Sequence, residues 1–425
     1  MRINSELWKS IGTDFGILDD CGNNITDIYI KNVSSMIANP ANTARNLLKI
    51  WEIRSLVHFN DRTIFDSKKG KVYKHHDHEP FFLDFGRHDW SREIHEKWAI
   101  GFKFPSNIFE GVQYEVMEIL REDPGRTPFN LWLKEPPIND SPAGYITGVI
   151  IKETDSVETH TNKLHVCFRE TTGAREIALW SGAMLPFNQY STVQQKNHKI
   201  KVNKLIWEKY SSKNPNTKID SIRTTMVDWF NRNTEFVREC HCVCLSGMSL
   251  GGAMSQCAAI DLAPMLQRIN KPMKMFLFGS PKLSDESFVS FLNYYNVNCF
   301  RIDADADDTP CFPTSNGVVG IQWKHAGIKF GLNIYNSSPL YIHYDNLNNI
   351  ITNGKCSRRL PWNITVNGFT NIRNPHQRHF YFKLLCLVYS QFTNQIPPQC
   401  TYAIDKYDFP WMEDQDAWME NVPII

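Results

Sequence analysis

No window of this 425-residue chain approaches the roughly 18 uninterrupted apolar residues of a membrane-crossing helix, so no transmembrane segment is expected. Met1 to Ser10 holds one Arg and one Lys but no apolar stretch. It does not read as a secretory leader, which leans the chain towards the cell interior. The net charge is only +1, which argues against a general polyanion binder and against a nucleic-acid partner. The basic run Lys196 to Lys204 reads as solvated surface. The 11 cysteines include no C-x-x-C pair. An odd count without a disulfide pattern suits a reducing compartment. Cys240, Cys242 and Cys244 alternate along one strand, where same-face neighbours are expected to lie too far apart to bridge. A metal site lacks its second half. His75-His76-Asp77-His78-Glu79 could supply ligands, but no other cluster sits at a metal-like spacing, so a solvated loop and no metal are expected.

What is present is enough for a sizeable core: 42% apolar and 21% charged residues, with 12 Trp and 26 Phe. Residues 1–140 have no clear rhythm. Ala41 to Val57 predicts an amphipathic helix through Leu47, Leu48, Trp51, Leu56 and Val57. Glu110 to Arg121 predicts a second helix. Asp123-Pro124-Gly125 and Pro136-Pro137 punctuate the region as turn and linker. This portion reads as an accessory region covering the core. From residue 141 strands and helices alternate. Strands are predicted over Tyr145 to Lys152, Leu164 to Arg169, His241 to Leu245, Met273 to Phe278 and Asn298 to Ile302. Helices are predicted around Leu205 to Trp207 and over Ile219 to Glu239, Asp285 to Tyr295 and Phe380 to Phe392. Such alternation implies an α/β fold with a mostly parallel sheet over 141–392. The tail, 393–425, is expected to pack on that core.

The stretch Val243 to Ala253 organises this pattern. Within it, Gly247-Met248-Ser249-Leu250-Gly251 is a G-x-S-x-G pentapeptide between a buried strand and a helix rich in small residues. Strand, sharp turn and helix with a serine at the apex form a nucleophile elbow. The Leu250 amide, at the positive end of the helix, would face an acyl oxygen. A serine hydroxyl needs a base in reach, and the base needs an acid to orient it. In elbow folds the acid follows a late strand and the histidine comes after it. Asp303, Asp305, Asp307 and Asp308 all fit the acid. His325, His343, His376 and His379 all fit the base.

Four segments, in order, resemble the class 3 lipases, an α/β-hydrolase family acting on triacylglycerols and related esters. They are Phe168-Arg169-Glu170-Thr171, Gly247 to Ala253, Phe278-Gly279-Ser280-Pro281 and Asp307 to Pro313. The resemblance spans about 145 to 390. It implies Ser249 as nucleophile and Asp307 as acid. It implies His376 as base, five residues before Tyr381, with His379 in reserve. Thr171 and Leu250 would form the oxyanion hole. Trp180, Leu185 and Phe187 fall where the family carries its lid or substrate cleft, although a core role is as good a reading for Trp180. No cofactor is implied. Two positions depart from the family: Met248 stands for its usual His, and Glu170 for its Gly beside the oxyanion hole.

The expectation is therefore a serine hydrolase cleaving carboxylic esters of lipids, meeting its substrate at a membrane or droplet surface. A phospholipase A or a soluble esterase would use the same chemistry. A non-catalytic binding protein on a hydrolase fold is the alternative of another class.

Overall fold

The computed structural model describes residues 40–67, 100–106, 108–122, 145–157, 162–170, 190–213, 219–304, 307, 309–311, 323–332, 340–343 and 378–395. Strands and helices are numbered here in chain order. One nine-stranded sheet runs β1 (Lys103–Pro105), β2 (Val112–Glu122), β3 (Tyr145–Asp155), β4 (Asn162–Phe168), β7 (Cys242–Met248), β8 (Met273–Phe278), β9 (Asn298–Ala304), β10 (Ile328–Leu332) and β11 (Leu340–His343). The five strands β4, β7, β8, β9 and β10 are parallel. Antiparallel strands extend both edges. β5 (Tyr190–Gln195) and β6 (His198–Asn203) form a separate hairpin.

The parallel strands are laid down in chain order across the sheet. Right-handed crossovers that always step the same way leave their helices on one face. The helices between β4 and β9 supply that layer: α2 (Lys204–Ser211), α3 (Ile222–Arg232), α4 (Thr234–Glu239), α5 (Leu250–Arg268) and α6 (Glu286–Tyr294). Their apolar side chains join Val243, Leu245, Met275 and Leu277 in one core. The alternate residues of the same strands, Cys242, Cys244, Met248, Phe276 and Phe278, point the other way. That second face is covered by α1 (Pro40–Ser67) and α7 (Arg378–Thr393). Both faces of the central strands are thus dry, which is why they read as continuous apolar runs.

Several expectations change. Glu110 to Arg121 is not a helix; Val112 to Glu122 is a strand paired with β3. Val112, Tyr114 and Val116 alternate inward, and the pairing partner decides in favour of that period of two. The boundary near residue 140 does not divide the sheet, because β1 and β2 lie before it. Nor is α1 amphipathic where it crosses the sheet: every residue from Leu47 to Arg54 is buried. The helix expected over Ile219 to Glu239 is two, separated at Asn233. As expected, Cys242 and Cys244 are not bridged, with their sulfurs 3.8 Å apart, and Cys167, Cys240, Cys257, Cys299 and Cys386 are free as well. No helix among the described residues is long and apolar enough to cross a membrane, and no metal-binding cluster occurs among them. His75 to Glu79 and the tail 396–425 lie outside the described residues.

Candidate active site

The elbow forms as its local sequence requires. β7 ends at Met248, α5 begins at Leu250, and Ser249 between them adopts φ 54° and ψ −125°. This is a left-handed backbone for a residue with a Cβ, a strain of about 1–3 kcal/mol that tightly packed surroundings must hold in place. The Ser249 amide donates to the Phe278 carbonyl at 3.0 Å, which ties the elbow to the end of β8. The Ser249 carbonyl accepts from the Gly252 and Ala253 amides at 2.9 and 3.2 Å. Gly251 is obligatory here: a Cβ on it would stand 2.4 Å from the Phe168 carbonyl oxygen and 2.5 Å from that of Arg169. The first turn of α5 therefore lies directly against the loop that follows β4. The Leu250 N–H, first in its helix, is one of the amides without an intrahelical acceptor. Met248, where the family has a His, is fully buried in the core beneath α1 and α7.

The acid candidates separate by environment. Asp303 sits inside β9 and pairs with Arg301 at 3.3 Å. Asp307 lies beyond the strand end. Its Oδ1 accepts from the Thr309 amide at 2.9 Å, and its Oδ2 accepts from the Tyr381 hydroxyl at 2.6 Å. That hydroxyl accepts in turn from the Ala304 amide at 3.1 Å. Burial, then the charges of Asp307 and Asp303, push the Tyr381 phenol well above its ordinary pKa, so it stays a donor. Gly279 (φ +49°) closes this corner: a Cβ there would stand 2.5 Å from Asp307 Oδ2 and 2.7 Å from the Tyr381 hydroxyl. The turn after β8 thus touches the serine through Phe278 and the carboxylate through Gly279. Asp305 and Asp308 lie outside the described residues.

Of the histidines, His325 places Nε2 2.5 Å from the Pro310 carbonyl, so that nitrogen carries the proton. Desolvation first, with Arg301 and Lys282 nearby, pushes its pKa well down. His343 ends β11, opposite Lys329. His379 falls in the first turn of α7. His376 lies outside the described residues, as do Thr171, Trp180, Leu185 and Phe187.

One group at this site had no signal in the sequence. The Arg54 guanidinium, wholly buried on α1, pairs with Glu170 Oε2 at 3.1 Å. It lies 3.9 Å from the centroid of the Trp51 ring. That ring meets Phe278 edge-on at 5.1 Å and stacks on Tyr381 at 5.9 Å. Nothing in the local sequence around residue 54 points to a partner 116 positions away.

Against known proteins, residues 166–317 match the family model described as Lipase (class 3). No curated protein matches the chain. Among solved structures the chain is similar to a Rhizomucor miehei lipase–propeptide complex (15% identity, 54% of this chain and 58% of that one, TM-score 0.34). It is also similar to lipase II from Rhizopus niveus (18%, 48% and 70%, 0.35) and a triacylglycerol lipase from Penicillium expansum (12%, 46% and 69%, 0.34). The chain therefore spans less than two thirds of the first of these.

Proposed function

From the match of residues 166–317 to the class 3 lipase family model, we propose that this protein is a serine hydrolase of carboxylic esters, with lipid esters as its substrate class. The observation that carries the reading is the backbone of Ser249: a strained φ of 54° at a strand-to-helix apex. In the proposed route Ser249 Oγ attacks the ester carbonyl and gives its proton to a histidine. The tetrahedral oxyanion collapses, and the histidine returns the proton to the departing alcohol. Water, deprotonated by the same histidine, attacks the acyl-enzyme, and the acid leaves with Ser249 restored. The Leu250 amide and the hydroxyl and amide of Thr171 would hold the oxyanion. One such donor is worth about 2.7–4 kcal/mol in the transition state.

Asp307 is the proposed acid. It is favoured by its place beyond β9 and by a carboxylate already fixed by two donors. His376 is the proposed base. Its support is its place in the chain, five residues before Tyr381, whose hydroxyl bonds Asp307. His379 stays as the reserve.

The test is labelling with a fluorophosphonate probe, wild type beside Ser249→Ala, His376→Ala and His379→Ala. Labelling is expected in wild type and lost in the serine variant and one histidine variant, which names the base. Folded wild type that stays unlabelled with and without detergent would sink the hydrolase reading in favour of a binding protein. A panel of triacylglycerol, phospholipid and short-chain esters, followed across the concentration where substrate forms an interface, separates lipase from phospholipase A and soluble esterase.

A further inference from the structure

We infer that Arg54 is a positioning residue for the oxyanion side of this site, acting through Glu170; the inference rests on the proposed hydrolase reading. Glu170 precedes Thr171, one of the two proposed oxyanion donors. A carboxylate free to swing towards that hole would oppose the negative charge developing there and would compete for its donors. Arg54 removes both effects. Its Nη1 holds Glu170 Oε2 at 3.1 Å, from a side chain with no solvent exposure, while Glu170 is mostly enclosed. The pair is therefore weakly screened.

The loop is held from other sides as well. The Arg169 amide donates to the Thr147 carbonyl at 3.0 Å, and Arg169 Nη1 donates to the Glu170 carbonyl at 2.9 Å. The carbonyls of Phe168 and Arg169 rest on Gly251 of α5. What Arg54 adds is the direction of the Glu170 side chain. Arg54 is itself aimed by Trp51, one turn earlier on α1, whose ring lies under the guanidinium. Trp51 also packs on Phe278, whose carbonyl binds the Ser249 amide, and on Tyr381, whose hydroxyl binds Asp307. A single turn of α1 thus braces the elbow, the acid and the oxyanion loop, although it lies outside the matched residues 166–317.

The experiment measures fluorophosphonate labelling rates and ester kcat and KM for wild type, Arg54→Lys, Arg54→Met and the pair Arg54→Met/Glu170→Gln, with a melt of each. Arg54→Met is expected to lower kcat and labelling rate by about a hundredfold with KM nearly unchanged, the scale of losing one oxyanion donor. The pair, which removes both charges of the ion pair, is expected to recover at least about tenfold of that loss. Arg54→Lys, which keeps the charge but loses the planar fork, is expected to fall between. Wild-type rates in folded Arg54→Met would overturn the inference alone. If Arg54→Met does not fold, a pair no faster than a tenth of Arg54→Lys would overturn it, because a neutral position 170 would then bring no relief. Wild type that is never labelled would remove the hydrolase reading and this inference with it.

Discussion

Helices α5 and α1 are both buried against the same sheet, on opposite faces, by opposite means. α5 approaches as a smooth surface. Gly251 and Gly252 let its first turn close on the carbonyls of Phe168 and Arg169 and on Ser280, and its buried residues are mostly small or apolar. α1 carries Lys49, Glu52 and Arg54 into the interior beside Leu48, Trp51 and Ile53. There Lys49 bonds Glu153 and Asp155, and Arg45 reaches Asp155 at 3.3 Å. Glu52 accepts from the Ser106 and Tyr114 hydroxyls at 2.6 and 2.9 Å. Close approach of small residues specifies a distance. Buried ion pairs specify a register along and around the helix, since each charge must meet its own partner. The difference suits the two tasks: α5 must hold the elbow turn tight, and α1 must set Trp51 and Arg54 against the end of β8, the start of α7 and the loop after β4.

The sharpest break of this contrast is Lys49→Met. It takes one cation from a buried cluster in which Glu153 keeps His165 and Lys163 and Asp155 keeps Arg45, and should cost up to about 3–5 kcal/mol in a urea titration. Met at a position of α5 already lined by apolar groups would do nothing comparable. A loss below about 1 kcal/mol would mean that the charges are incidental to how α1 is seated.

Acid should act through the same cluster. Burial alone would raise the Glu153 carboxyl, but the hydrogen bond from His165 and the charges of His165, Lys163 and Lys49 prevail and hold it far below its ordinary value of 4.5. A depressed folded pKa contributes stability that is present above the unfolded value and lost as the pH falls below it. Urea midpoints should therefore drop steeply below about pH 4.5 in wild type and less steeply in Glu153→Gln. Parallel declines would detach the acid response from this carboxylate.

On the other face, Gly251→Ala should cost about 1–3 kcal/mol, because its methyl meets backbone carbonyls that have nowhere to go. The labelling rate should fall with it, since those carbonyls belong to residues that directly precede the proposed oxyanion donor Thr171. An unaffected melt would show that the loop yields more easily than its packing implies. The smallest effect is expected at the cap of α3, where the Ser221 hydroxyl accepts from the Thr224 amide at 3.1 Å. Ser221→Ala should cost about 1 kcal/mol and leave labelling unchanged. A change in labelling would join a remote cap to the site.

The elbow was legible because everything that makes it lies within about twenty residues: a strand dry on both faces, a tight apex, and a helix whose small residues are spaced for contact. β8, β9, α6 and α7 were legible for the same reason. β2 was not. Glu115, Glu118 and Arg121 also fit a helical spacing, and only the ladder to β3 selects the period of two. The hairpin β5–β6 hid in a polar stretch, because it packs only one narrow apolar row, Val193, Ile200 and Val202. Among the acids, chain position offered Asp303 and Asp307 equally. The structure separates them by partner, Arg301 for one and Tyr381 for the other.

What the sequence by itself determined is the local machinery: the alternation of strand and helix and the serine at the apex of its turn. Backbone sterics and side-chain period act over a few residues and can be read there. Only the tertiary structure decided the role of α1. Arg54 meets Glu170 across 116 residues and Lys49 meets Glu153 across 104. A charge in a helical stretch looks the same in the sequence whether water or a carboxylate receives it. Its partner is chosen when the sheet closes, because burial makes an unmatched charge too costly to keep.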